Sequence, residues 1–77
     1  MNTVMIRLSS IQDVRNFVDT VTKYNIDIDL SSGRYIVDAK SIMGIFSLDL
    51  MSPITLTAHC EDATELFAEL DRFIIKE

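Results

Sequence analysis

Apolar and polar residues change rhythm several times along this chain, and each change marks an element. Val4, Ile6 and Leu8 alternate with Thr3, Met5 and Arg7, the period of a strand buried on one face. From Ile11 the spacing shifts to threes and fours through Val14, Val18 and Val21, with Phe17 and Tyr24 widening the stripe. That spacing predicts an amphipathic helix over residues 11–24. Its start is signalled twice in Ser10-Ile11-Gln12-Asp13: the serine oxygen can accept an amide hydrogen, and Asp13 can lie near the positive helix end, as in a capping box. Alternation returns where Ile26, Ile28 and Leu30 interleave with Asp27, Asp29 and Ser31. Ser31-Ser32-Gly33-Arg34 then supplies a turn into a third strand, Tyr35-Ile36-Val37. Ser41 opens a short helix to about Leu48, Pro53 punctuates the chain, and Ile54 to His59 return as a fourth strand. Asp62 is expected to cap a last helix carrying Ala63, Leu66, Phe67, Leu70, Phe73 and Ile74 on its apolar stripe, with Glu65 completing a second capping box.

The order strand, helix, strand, strand, helix, strand, helix suits one antiparallel sheet with its helices on one face, an open-faced α+β sandwich. Periodicity reaches that class and leaves the strand order in space open. A length of 77 residues holds one domain and one core, near the lower range in which hydrophobic burial suffices alone. Apolar residues make up 48% of the chain, with two glycines and one proline, so compact structure is expected rather than disorder.

Charge narrows the function classes. Seven basic against twelve acidic residues give a formal charge of -5, and the basic ones are scattered, a surface that repels phosphate backbones and argues against nucleic-acid binding. The first residues lack a basic lead followed by an apolar run, and no apolar stretch approaches the roughly 20 residues that span a bilayer. A cytoplasmic protein without membrane attachment is expected, and the single cysteine, Cys60, agrees with a reducing compartment.

Among side chains that could carry chemistry, His59 and Cys60 are adjacent and should point to opposite faces of a strand. His59 is expected on the open face of the sheet and Cys60 in the core, with no metal site, since the usual ligand spacings are missing. Asp27 and Asp29 share a strand face that is expected to be solvated. Ser41 can be a plain helix cap, yet free amides and the helix dipole also favour phosphate there, with Lys40 beside it. Ile42, Met43, Ile45, Phe46 and Leu48 exceed what a two-turn helix can hide against a sheet, so some should face water and meet a partner.

From Gly33 to Leu48 the chain resembles HPr, the histidine-containing phosphocarrier of the bacterial sugar phosphotransferase system, in its Gram-positive form. The core of the match is Asp38-Ala39-Lys40-Ser41-Ile42-Met43-Gly44. Glu61-Asp62 before the last helix, and Phe17-Val18 followed by Tyr24, are similar to the family more loosely. The resemblance implies a single HPr-like domain over residues 1–77, with βαββαβα order, a four-stranded antiparallel sheet and three helices on one face. It also implies regulatory phosphorylation of Ser41 by a serine kinase and docking of partner proteins through Ile42 and Met43, with Phe46 on the same segment.

The chain departs from the family where phosphoryl transfer occurs. A histidine-x-arginine-proline motif opens the family's first helix, and alignment through Phe17-Val18 puts Ser10, Gln12 and Asp13 at those positions. A phosphohistidine carrier needs an imidazole nucleophile and positive charge for the incoming group. A serine would form an ester, a poorer phosphoryl donor, Asp13 would add repulsion, and Arg15 sits a turn inward. The turn Asp49-Leu50-Met51-Ser52-Pro53 is also shorter than in the family and lacks its glycines. The expectation is therefore a non-enzymatic, cofactor-free protein of HPr type without the relay, whose partners belong to the phosphotransferase system or to catabolite regulation. Two alternatives are a working phosphocarrier using Ser10 or His59, and an assembly module dimerising through the Ile42 to Phe46 patch.

Overall fold

Alternation along the strands dictates a sheet with one apolar face, and the helices exist to cover it. A computed structural model describes residues 2–76. The elements are β1 (Asn2–Ile6), α1 (Ile11–Val21), β2 (Ile28–Ser32), β3 (Tyr35–Asp38), α2 (Ile42–Phe46), β4 (Ile54–Ala58) and α3 (Thr64–Glu69), followed by a 3-10 turn (Asp71–Phe73). Among the described residues the strands form one four-stranded antiparallel sheet in the order β1-β4-β2-β3. The register aligns Val4, Leu56, Leu30 and Val37 in one row across all four strands. Next to it a row of opposite facing runs through Met5, Thr55, Ser31 and Ile36, so a single face is apolar and the other is left to water.

Three helices close the apolar face. Val14, Phe17 and Val21 of α1, Ile45 of α2 and Leu66 of α3 are buried, and Leu70 and Phe73 follow Leu66 inward. Phe17 and Phe73 meet edge to face, centroids 5.8 Å apart at 83°, which joins the first helix to the last turn. Every buried residue among those described is apolar.

The hairpin between β2 and β3 turns on Gly33 and Arg34, and Gly33 takes φ +61. Arg34 stays at negative φ, so the one left-handed position of this two-residue turn falls on glycine, as a type II′ turn requires. Both serine caps form as the sequence predicts: Ser10 Oγ accepts from Asp13 N–H at 3.1 Å, and Ser41 Oγ from Gly44 N–H at 3.1 Å.

Several boundaries differ from expectation. α1 stops at Val21 instead of Tyr24, because the Thr20 and Thr22 hydroxyls bond the carbonyls of Asn16 and Val18 at 2.9 Å, competing at its last turn. Ile11, expected on the buried stripe, is 68% exposed in the first turn at the rim. α2 is five residues long, with Ser47 as its C-cap and Leu48 beyond it. Asp62 accepts from Thr64 N–H at 2.9 Å, and the Thr64 hydroxyl together with that amide pulls its carboxyl below the usual value. That bond is an Asx turn ahead of α3, not the expected capping box with Glu65. The last helix does not reach Ile74. After the 3-10 turn the chain extends, Ile74 bridges to Ile6, and Ile75 N–H donates to Met5 C=O at 2.9 Å, so β-branched residues cover the outer edge of β1.

The end of α1 is tied to α3 by charge. Glu69 accepts from Lys23 Nζ at 3.0 Å and from the Tyr24 hydroxyl. These bonds hold its carboxyl below the ordinary range, and Tyr24, donating to a carboxylate, is pushed up to about 12. A lowered carboxyl stabilises the fold at neutral pH and loses that contribution as pH falls through it; a raised phenol loses its contribution as pH rises from its ordinary 10.0 toward about 12. The melting-temperature difference between wild type and Tyr24→Phe should thus be flat through neutral pH and shrink at both extremes. A difference that persists unchanged in alkali would show Tyr24 acting through packing alone. In the core, Phe17→Ala should cost about 3–5 kcal/mol in urea unfolding, a large share of the roughly 4–12 kcal/mol expected for a domain of this size.

Candidate functional site

Ser41 is exposed, and the first turn of α2 that it caps carries no acidic residue. Its own N–H donates to Asp38 C=O at 3.0 Å, and its C=O accepts from Ile45 N–H at 3.0 Å, so its backbone is fixed while the side chain faces out. Gly44 sits where a Cβ would come within 3.1 Å of Ser41 Oγ and 3.2 Å of Val37 Cβ, which lets α2 lie close against β3. Lys40 is not free to serve Ser41 in this arrangement. Its ammonium donates to Tyr24 C=O at 2.7 Å, bracing the end of α1, while its N–H donates to Asp38 Oδ1 at 2.8 Å.

Of the apolar residues on this segment, Ile45 and Leu48 are core, whereas Met43 is 77% and Phe46 42% exposed. Spacing of three on a helix makes Met43 and Phe46 neighbours. Ile42 is only half-buried and packs against the core, so it contributes part of its side chain to the surface and not the whole.

Ser10 caps α1 at the other end of α2, beside an open groove of about 540 Å³. Ile11, Phe46, Leu50 and Met51 line it together with Ser10 and Arg7. Asp13 Oδ2 accepts from Ser9 N–H at 3.0 Å, and Arg7 Nη1 donates to Met51 C=O at 3.3 Å. A carboxylate of the first turn of α1 is thus already bound to the amide just ahead of the cap. Gln12 instead bonds Asn16 at 3.0 Å, along the helix surface.

The structure brings Ser10 to the same groove as Phe46 and leaves Ser41 and Met43 off its lining. Sequence reasoning missed Ile11 and Met51, the latter 86% exposed. Asp49 turns the loop by accepting from Met51 N–H at 3.0 Å and Ser52 Oγ at 3.1 Å. The legible signal was a methionine in a turn where a polar residue is the norm.

His59 and Cys60 diverge as expected, though both lie just past β4 and not within it. His59 Nε2 meets Asp29 Oδ2 at 2.7 Å on the open face, while Cys60 packs partly buried against the core. Asp27, Asp29, Asp38 and His59 line a shallow depression there. Among the described residues no three metal-ligating side chains converge closely enough to hold a metal ion, and no helix is long and apolar enough to cross a membrane.

Comparison with known proteins agrees with this geometry. Residues 13–76 match the family model described as the PTS HPr component phosphorylation site, a stretch that begins after Ser10 and Gln12. HPr-C-His from Thermoanaerobacter tengcongensis is 29% identical with TM-score 0.79, covering 94% of this chain and 89% of that one. The phosphocarrier protein HPr from Bacillus anthracis str. Ames is 28% identical with TM-score 0.72, covering 96% of each chain. Crh, the Bacillus subtilis catabolite repression protein described as a domain-swapped dimer, is 26% identical with TM-score 0.65, covering 92% and 88%. A capped α2 on a β1-β4-β2-β3 sheet, matched over most of its length by one family model, makes this chain a member of the HPr family.

Proposed function

We propose that this protein is an HPr-family regulatory binding protein without the phosphohistidine relay, which recognises protein partners through α2 and is controlled by phosphorylation of Ser41. The carrying observation is the contrast between the two helix starts. Ser41 is an exposed cap beside Met43 and Phe46 with no carboxylate in the following turn, whereas Ser10 stands where the relay imidazole is expected and has Asp13 bound at the same helix end.

Each part follows from chemistry. A phosphoryl group arriving at Ser10 meets an alkoxide precursor with no base and the repulsion of Asp13. A phosphate on Ser41 would instead add charge at the rim of an apolar surface, where it changes which partners can dock. Met43 and Phe46 are the kind of adaptable apolar and aromatic side chains that dominate recognition patches. The partners would be a serine kinase and proteins of the phosphotransferase system or of catabolite regulation.

One observation favours a second reading, a working carrier that uses His59. A proton on Nε2 donated to Asp29 leaves Nδ1 free as a nucleophile. Against it, Asp27, Asp29 and Asp38 surround that imidazole with negative charge.

Incubation with an HPr kinase and ATP should place one phosphate on wild type and none on Ser41→Ala; an unmodified wild type would remove the regulatory half. Phosphoenolpyruvate with enzyme I should leave no acid-labile phosphate, and a labile adduct on His59 would establish the second reading. Ser41→Ala should itself lower stability by about 1 kcal/mol through loss of the cap, so the comparison belongs at a temperature where both proteins are folded. Met43→Asp should abolish capture of the native partner while changing stability by less than about 0.5 kcal/mol, measured by urea unfolding.

A further inference from the structure

The sheet has two edges, and among the described residues only one is covered. Along β1, Arg7 N–H donates to Phe73 C=O and Ile75 N–H to Met5 C=O, both at 2.9 Å. At the other side β3 ends the sheet, and no described strand pairs with its outer edge. The hydrogen-bond phase of the β2–β3 ladder fixes which groups point outward. Ala39 N–H donates to Ile28 C=O at 2.9 Å, so that pair is hydrogen-bonded. Alternation then makes Leu30–Val37 and Ser32–Tyr35 bonded pairs and Ser31–Ile36 and Asp29–Asp38 non-bonded ones. The N–H and C=O of Ile36 and the N–H of Asp38 therefore face away from the sheet. Ile36 is 71% and Tyr35 66% exposed, and an open edge with apolar side chains is a template for another strand.

From the edge's own sequence we propose which strand it takes: β3 of a second copy of this chain, antiparallel and centred on Ile36. Arg34-Tyr35-Ile36-Val37-Asp38 carries opposite charges at its two ends with apolar residues between. Paired with itself about Ile36, it sets Ile36 against Ile36 with their outward N–H and C=O groups bonded reciprocally. Tyr35 then opposes Val37, and Arg34 opposes Asp38 twice, once at each end. Any other antiparallel register separates the charges. Arg34 is in no ion pair among the described residues. Arg34 stands in the turn that opens β3, and Asp38, at the strand's other end, lies in the acidic depression with Asp27 and Asp29. An Arg34 from the second copy is the charge that corner lacks. The two sheets continue into one without exchange of any element. The pairing is short and each copy carries -5, so the dimer is reversible and forms at high concentration.

Sedimentation equilibrium up to about 1 mM protein tests this. Wild type should dimerise with rising concentration. Arg34→Asp and Asp38→Arg should each weaken association roughly tenfold or more, and an equimolar mixture of the two should form a heterodimer, because each then supplies the charge the other needs. Asp38→Arg also loses the bond to Lys40 N–H, so Ile36→Pro serves as a second probe: it removes an outward N–H and leaves the ladder to β2 intact. A wild type monomeric throughout, an association unmoved by Arg34→Asp and Ile36→Pro, or a mixture that stays monomeric would overturn the proposal. Loss of the dimer on Met43→Asp with these variants still dimeric would assign it to α2 instead.

Discussion

One apolar sheet face has to be covered, and in a chain of 77 residues little is available to cover it. Two of the helices that do so are five and six residues long, well below the length at which a helix holds together by itself in water. They are helical because they are docked. The side-chain bonds at their ends follow from that dependence: Ser41 on the first turn of α2, Lys40 reaching back to Tyr24 C=O, and Lys23 with Tyr24 on Glu69. The last two link separate elements, so the end of α1 acts as a knot between α2's approach and α3.

Helix length also explains the exposed apolar side chains of α2. A five-residue helix lying on a sheet has room to bury one side chain completely, here Ile45. Met43 and Phe46 lie around the helix from it and are left to water, and the turn held by Asp49 adds Met51. A chain with apolar residues at nearly every position of such a segment presents some of them outward by geometry. The sheet edges show the same economy. Residues after α3 extend along β1 and close it, while no described strand pairs with the outer edge of β3.

The alternating and helical periods made all four strands and three helices legible in the sequence, because each buries its apolar side against the same core. Strand order was not legible from periodicity, since every strand presents the same kind of face; the pairing in the structure fixes it as β1-β4-β2-β3. Element ends failed where local hydrogen bonds outcompete the pattern. Thr20 and Thr22 shorten α1, and the Asx turn at Asp62 displaces the expected cap. The apolar stripe through Phe73 and Ile74 read as continuous helix, although Phe73 is reached through a 3-10 turn and Ile74 belongs to the sheet edge. At the site, the exposure of Met43 and Phe46 could be anticipated from crowding. The groove joining Ile11 to Met51 could not, because it is made by residues forty positions apart with no shared period. Lys40 looked available for Ser41 by adjacency, yet its stem directs the charge to Tyr24 C=O, just past α1.

The two cap serines differ in one physical respect. Each accepts a third-position amide at 3.1 Å, so by local geometry they are the same motif. What differs is the residue donating that amide. At Ser10 it is Asp13, whose carboxylate turns back to Ser9 N–H and satisfies the helix start with negative charge. At Ser41 it is Gly44, with no side chain and no charge, and the nearest acid, Asp38, is held by Lys40 N–H. An anion added at Ser10 would have to displace or repel a carboxylate already in place, whereas one added at Ser41 meets a helix start whose favourable field is unspent. The same hydrogen bond therefore stands beside a carboxylate at one helix start and beside no charged side chain at the other, through the identity of a single neighbouring residue.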